Sequence, residues 1–147
     1  GVIVCQGGNM AGWALWLDDG IPRFIYNCFG HDLTVIEGPA LMPGDHTLRV
    51  DFVYDGGFGR GGDLMISVNG DGAGAARLER TVPLVFSMSG ETFDVGTDTG
   101  APVGPYPHDY RCTAEIIDVT LERLNEPSPD VVRQVAEGMW RAGLSTQ

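Results

Sequence analysis

Apolar and polar residues alternate with period two along much of this chain, a pattern that predicts β-strands. Leu48, Val50, Phe52 and Tyr54 fall on one face of the run 47–54. Leu64, Ile66 and Val68 alternate in the same way. Val82, Leu84, Phe86 and Met88 do so again, with Pro83 on the opposite phase, as at a sheet edge or a strand end. Later, Cys112, Ala114 and Ile116 share a face, and then Ile117, Val119 and Leu121 take over the apolar phase. A slip of one residue predicts a β-bulge at Ile116–Ile117. Further strands fit 2–6, 12–18, 23–29 and 32–36.

Turn chemistry separates these runs: Asp18-Asp19-Gly20, Pro43-Gly44-Asp45 and Asn69-Gly70-Asp71-Gly72. About nine short strands between turns predict an all-β, antiparallel two-sheet sandwich over residues 1–126. The tail, 127–147, reads differently. Ser128 is an N-cap, Pro129 sits at the first helical position and Asp130 in the first turn. Val131, Val132, Val135, Ala136, Met139 and Trp140 then form an apolar stripe at helical spacing, and Gly143 is a stop.

Length and composition fit one globular domain. The chain has 147 residues, 43% of them hydrophobic and 20% charged, with 22 glycines suited to many turns. The net charge of −11 and nine scattered basic residues exclude a phosphate-neutralising face. Nucleic acid and anionic membrane are therefore not expected partners. No run approaches the ~20 apolar residues of a membrane-spanning helix, and no signal peptide is legible. The opening residues GVIVCQGG read as a strand already under way, as in a piece cut from a longer polypeptide. Cys5, Cys28 and Cys112 lie outside any Cys-x-x-Cys spacing and read as buried thiols, which leans towards a reducing, cytoplasmic compartment.

Candidate chemistry is sparse. Gly57-x-Gly59-x-x-Gly62 has the spacing of a dinucleotide-binding loop, which works by leading a strand into a helix whose N-terminus faces pyrophosphate. Here the glycines lead into Asp63-Leu64-Met65-Ile66-Ser67-Val68, a strand pattern, so they are expected to bend backbone. Asn69, Asp71, Gly74 and Glu79 miss the spacing of a calcium-binding EF-hand. Asp94 and Asp98 are the calcium candidates; the plainer reading has both carboxylates accepting hydrogen bonds from loop backbone. His31, His46 and His108 form no zinc spacing and accompany no nucleophile motif. Trp13, Trp16, Phe24, Tyr26 and Phe29 are dense; an exposed strip of them would suit sugar stacking, but their alternation predicts core.

Several stretches together resemble the C-terminal region of bacterial arylsulfatases, outside the catalytic domain. They are Gln6-Gly7-Gly8, Gly12-Trp13, Tyr26-Asn27, PGDHTLRVDFVYDGG at 43–57, Gly61-Gly62 and, most specifically, ETFDVGTDTGAPV at 91–103. The resemblance covers about residues 1–124. It implies a concanavalin/laminin-G-like jelly roll joined to an alkaline-phosphatase-like sulfatase domain. Such enzymes use calcium and a formylglycine made from the cysteine of a Cys-x-Pro-x-Arg motif. Cys5 is followed by QGGN, Cys28 by FGHD and Cys112 by TAEI, so none fits. Asp18-Asp19-Gly20 is superficially like a sulfatase metal motif but reads as a turn.

The resemblance thus implies no catalytic, cofactor-binding or metal residue here. The expectation is a domain that is inactive alone and packs against the catalytic domain of its own polypeptide through loops 55–63 and 94–110. The alternative is a carbohydrate-binding, lectin-like module. A third reading is an interaction scaffold that self-associates through the tail helix.

Overall fold

The computed structural model describes residues 1–83, 86, 93–123, 133, 136 and 137. Eight strands are formed: β1 (Val2–Gly7), β2 (Gly12–Asp18), β3 (Ile21–Cys28), β4 (Asp32–Glu37), β5 (Leu48–Tyr54), β6 (Arg60–Val68), β7 (Asp71–Arg80) and β8 (Phe93–Val95). They make two antiparallel sheets, ordered β4-β3-β2-β1-β8 and β5-β6-β7. The fold is all-β.

Local chemistry sets the corners. Asp19 (φ 49°) and Gly20 (φ 78°) close the β2–β3 hairpin, and Asn69 (φ 53°) and Gly70 (φ 91°) close β6–β7. Two consecutive left-handed residues match the twist of paired strands, which is why Asp-Gly and Asn-Gly stand there.

The sheets enclose a shared core. Val4, Leu15, Phe24, Tyr26, Cys28 and Ile36 from one meet Leu64, Ile66 and Leu78 from the other. Along β7 the contact brings backbone close. A Cβ at Gly74 would come within 2.6 Å of the Glu37 carbonyl oxygen on β4, so only glycine fits that approach. Arg80 pairs with Asp32 at the far end of the same seam.

The five-stranded sheet has a second core on its other face. Val2, Cys5, Ala14, Trp16 and Ile25 pack there under Val103 and Tyr106. A register shift between Val2 and Val4 lets β1 serve both sides. Ile3 and Val4 turn to the shared core, while Val2 and Cys5 turn to the second. The covering strap, residues 97–112, has no strand of its own. Val2 fixes its end by donating to the Tyr110 carbonyl at 2.7 Å, and Cys112 donates to Gly96 at 2.8 Å.

Several expectations are corrected. The alternating runs at 112–116 and 117–121 form no strand, and no bulge occurs at Ile116–Ile117. Ile117 and Leu121 remain exposed. Their alternation has no neighbouring strand to satisfy it, so periodicity alone does not make a ladder. In the run 82–88, Val82, Pro83 and Phe86 are not in a strand, and the other positions lie outside the described residues. A strand not expected from the sequence, Asp71–Arg80, pairs with β6 on the side away from β5; its DGAGAARLER sequence has little β-propensity but small side chains for the close seam with β4. β8 lies where only turns were expected. The tail helix and its proposed self-association fall outside the described residues, apart from Arg133, Ala136 and Glu137, which are helical. Among the described residues no helix is long and apolar enough to cross a membrane.

Candidate functional site

One heavily bonded polar group inside the fold is Asp98, 1% exposed. It sits at the start of the strap, beside β1 and β8. Its carboxylate accepts from the Tyr106 hydroxyl at 2.8 Å, from the Val103 amide at 3.3 Å and from the Gly100 amide at 3.2 Å. Asp94 on β8 accepts from the Thr99 amide at 2.9 Å and its hydroxyl at 2.7 Å. Both calcium candidates therefore bond to the loop around them. The Asn27 side chain adds a second fastening, donating to the Val103 and Asn9 carbonyls at 2.9 and 3.0 Å and accepting from Gly30 at 2.8 Å.

The thiol of Cys5 joins the two carboxylates: one ligand atom from each of the three lies within 4.8 Å of the others. The chemistry of this set suits hydrogen bonding better than metal. Burial, then the charges of Asp98 and Asp94, push the Cys5 thiol up to about 12, which keeps it a neutral, weak donor. Calcium takes six or more oxygens; here there are two carboxylates, each with loop donors already on it. Tyr106 is likewise held neutral, by burial and then by its bond to Asp98.

The glycine loop is the tip of the β5–β6 hairpin. Gly56, Gly57 and Gly59 have φ between 64° and 94°. Gly61 and Gly62, expected in the loop, belong to β6. Gly62 has its own reason: the Phe52 ring lies on it, and a Cβ there would come within 2.5 Å of Cε2. The Tyr54 hydroxyl closes the loop, donating to the Gly57 carbonyl and accepting from the Arg60 amide. A strand follows, so the fingerprint has no helix to present to a phosphate. Around this tip Phe52, Tyr54 and Phe58 are 38–40% exposed and Val53 is 67% exposed. Arg77 pairs there with Asp55 and Asp63, and hydrogen bonding to Arg77 holds the Asp55 carboxyl below its ordinary range.

The remaining sequence candidates are dispersed. His108 lies 3.0 Å from the carboxylate of its neighbour Asp109, and both are exposed. His46 belongs to the β4–β5 crossover, far along the chain from the strap. Of the aromatic group, Trp16, Phe24 and Tyr26 are core and Trp13 is half-buried, but Phe29 is exposed in a left-handed turn. Cys5, Tyr106 and Asn27 carry no motif; a proline-rich stretch gives no sequence signal for which tyrosine reaches back to Asp98.

No family model matches the chain, and neither any curated protein nor any solved structure is significantly similar to it.

Proposed function

We propose that this chain is the non-catalytic C-terminal domain of an arylsulfatase-type enzyme. It is a concanavalin/laminin-G-like jelly roll that packs on the catalytic domain of the same polypeptide. Sulfate-ester hydrolysis, formylglycine and calcium belong to that other domain. The observation that carries the reading is the β5–β6 hairpin end, where the Phe52 and Tyr54 rings lie 5.9 Å apart on one face and both, with Phe58 at the tip, are exposed. Aromatic side chains are the residues that anchor interfaces, and apolar groups concentrated at one place mark contact surfaces. Arg77 with Asp55 and Asp63 supplies the polar rim. The buried thiols support the same reading: Cys5 and Cys28 are both raised by burial and so are poor nucleophiles. The identity of the partner rests on the resemblance at 43–57 and 91–103.

The test is the reading frame upstream of Gly1. It should encode Cys-x-Pro-x-Arg several hundred residues earlier, and its absence refutes the assignment. The isolated chain should not turn over an aryl sulfate.

A carbohydrate-binding module is the second reading. One observation favours it: Phe93, 39% exposed, meets the half-buried Trp13 ring edge-on at 6.0 Å, an aromatic pair of the kind that can stack on a sugar ring. A glycan array probed with and without calcium separates the two readings.

A further inference from the structure

A strand at the edge of a sheet leaves a row of backbone groups open to another strand, and proteins guard such rows. Here β4 and β7 close on each other, with the Gly74 backbone against the Glu37 carbonyl and Arg80 paired to Asp32. β8 is three residues long, and Cys112 donates to Gly96 just past its end. β5 is different: seven residues, no proline, and an unbroken register with β6. The Asn69 amide donates to the Thr47 carbonyl and the Asp55 amide to the Gly61 carbonyl, so the odd-numbered residues of this strand direct their backbone groups at β6. The N–H and C=O groups of Leu48, Val50, Phe52 and Tyr54 therefore point to the free edge, and none has a backbone partner among the described residues.

The segment 113–122 carries the matching lack. It makes no backbone–backbone bond among the described residues, although Val119 packs against the shared core. Ile117 is 82% and Leu121 64% exposed. The segment ends near the start of β5, where Arg49, held charged first by its bond to Asp51, also lies in the field of the Glu122 carboxylate. We infer that residues 117–122 are a latent strand, undocked in this structure, which adds antiparallel to the free edge of β5 and makes the three-stranded sheet four-stranded.

Charge fixes the register. Setting Glu122 opposite Arg49 places Thr120 opposite Asp51 and Asp118 opposite Val53, all on the outer face. Leu121, Val119 and Ile117 then stand opposite Val50, Phe52 and Tyr54, on the face that carries Leu64 and Ile66 into the shared core. Those are also the β5 residues whose backbone groups are free, so the apolar phase and the bonding phase agree. A shift of two residues either way brings Asp118 or Glu122 opposite Asp51, which like charge opposes. A shift of one turns Ile117, Val119 and Leu121 outward. The step from Cys112, fixed at Gly96, to Ile117 extends to about 17 Å, more than the ~10 Å between packed sheets. This inference does not rest on the parent-enzyme reading, which uses the rings of Phe52 and Tyr54 and not the edge.

The test is amide hydrogen exchange by nuclear magnetic resonance on the whole chain. The amides of Val50, Phe52, Tyr54, Ile117, Val119 and Leu121 should exchange at least about tenfold more slowly than open ones, the scale of a made hydrogen bond. Hα–Hα Overhauser contacts should join Asp51 to Thr120 and Val53 to Asp118, the pairs that approach most closely between antiparallel strands. Val119→Pro cannot pair there and should return Val50, Phe52 and Tyr54 to free exchange, while the amides of Leu64 and Ile66 stay protected as the sign of an intact fold. Glu122→Lys sets a like charge against Arg49 without touching the core and should lower the same protection about two- to tenfold; it decides the matter if Val119→Pro does not fold. Free exchange at Val50, Phe52 and Tyr54 in the parent overturns the inference. So does protection that survives both substitutions, or that rises with protein concentration, the mark of a second copy on the same edge.

Discussion

Tyr106→Phe removes one hydroxyl and leaves the ring in place between Trp16, 5.4 Å away, and Tyr110, 6.3 Å away. The lost bond is the shortest that Asp98 makes, at 2.8 Å, against 3.2 and 3.3 Å for the two amides that remain. A hydrogen bond to a charged group contributes about 1.5–3 kcal/mol. Asp98 is buried, so water does not replace the missing donor. The expected loss is about 2 kcal/mol, or roughly 4–8 °C in Tm for a chain of this size. Urea denaturation should show a lower midpoint with an unchanged slope, because the surface exposed on unfolding is the same. Tyr110→Phe is the control, since that hydroxyl makes no bond among the described residues. Asp98→Ala should cost more, as it strands three donors at once. The account fails if Tyr106→Phe lies within about 0.5 kcal/mol of the parent, the level of an ordinary surface change, or if Tyr110→Phe costs as much.

Alkaline pH should weaken the fold through Cys5. Its thiol rises from 9.0 to about 12 on folding, so the neutral form is favoured in the folded state and that contribution is complete below pH 9. It is lost as pH climbs towards 12, by an amount on the order of 4 kcal/mol. Cys5→Ala should flatten the fall in stability between those pH values, followed by chemical denaturation at each pH; an unchanged slope refutes it. Gly74→Ala should destabilise by about 1–3 kcal/mol, because the new methyl meets the Glu37 carbonyl oxygen and β4 must move away from β7. A melting temperature equal to the parent's would show that the seam has slack. Phe58→Ser should leave the melting temperature within about 2 °C, as an exposed change contributes little to stability, yet weaken binding to the proposed catalytic domain at least tenfold, as loss of an interface anchor does. Unchanged affinity by calorimetry would remove that hairpin from the contact.

The strands with strong alternation or continuous apolar runs were legible from sequence. β2, expected over 12–18, spans Gly12–Asp18, and the Asp19-Gly20 and Asn69-Gly70 turns stand where their chemistry put them. β7 was not legible, because its glycines and alanines answer to the nearness of β4 and not to any strand preference. The reverse error occurred at 114–121, where Ile116, Ile117, Val119 and Leu121 carry the preference but meet no partner strand. Asp94 and Asp98, the two carboxylates the sequence offered for calcium, both accept hydrogen bonds from the backbone of residues 99–103, Asp94 from β8 and Asp98 from the strap. What sequence did not reveal was Cys5, ninety-odd positions away, completing the group across β1 and β8. Long-range pairing leaves no trace in a window of a dozen residues. Phe29 was misread because its neighbours' alternation extends one residue too far, into a turn closed by Gly30.

The strap ties the first strand to residues made much later. On a ribosome, β1 to β4 emerge together, but about seventy more residues separate Glu37 from Tyr106, roughly 4–14 s at ordinary elongation rates. Throughout that interval Trp16 and Ile25 have nothing to lie beneath. A nascent chain, or one cut short before Asp98, must therefore carry an oily sheet back into the cell, a ready target for chaperones and for aggregation.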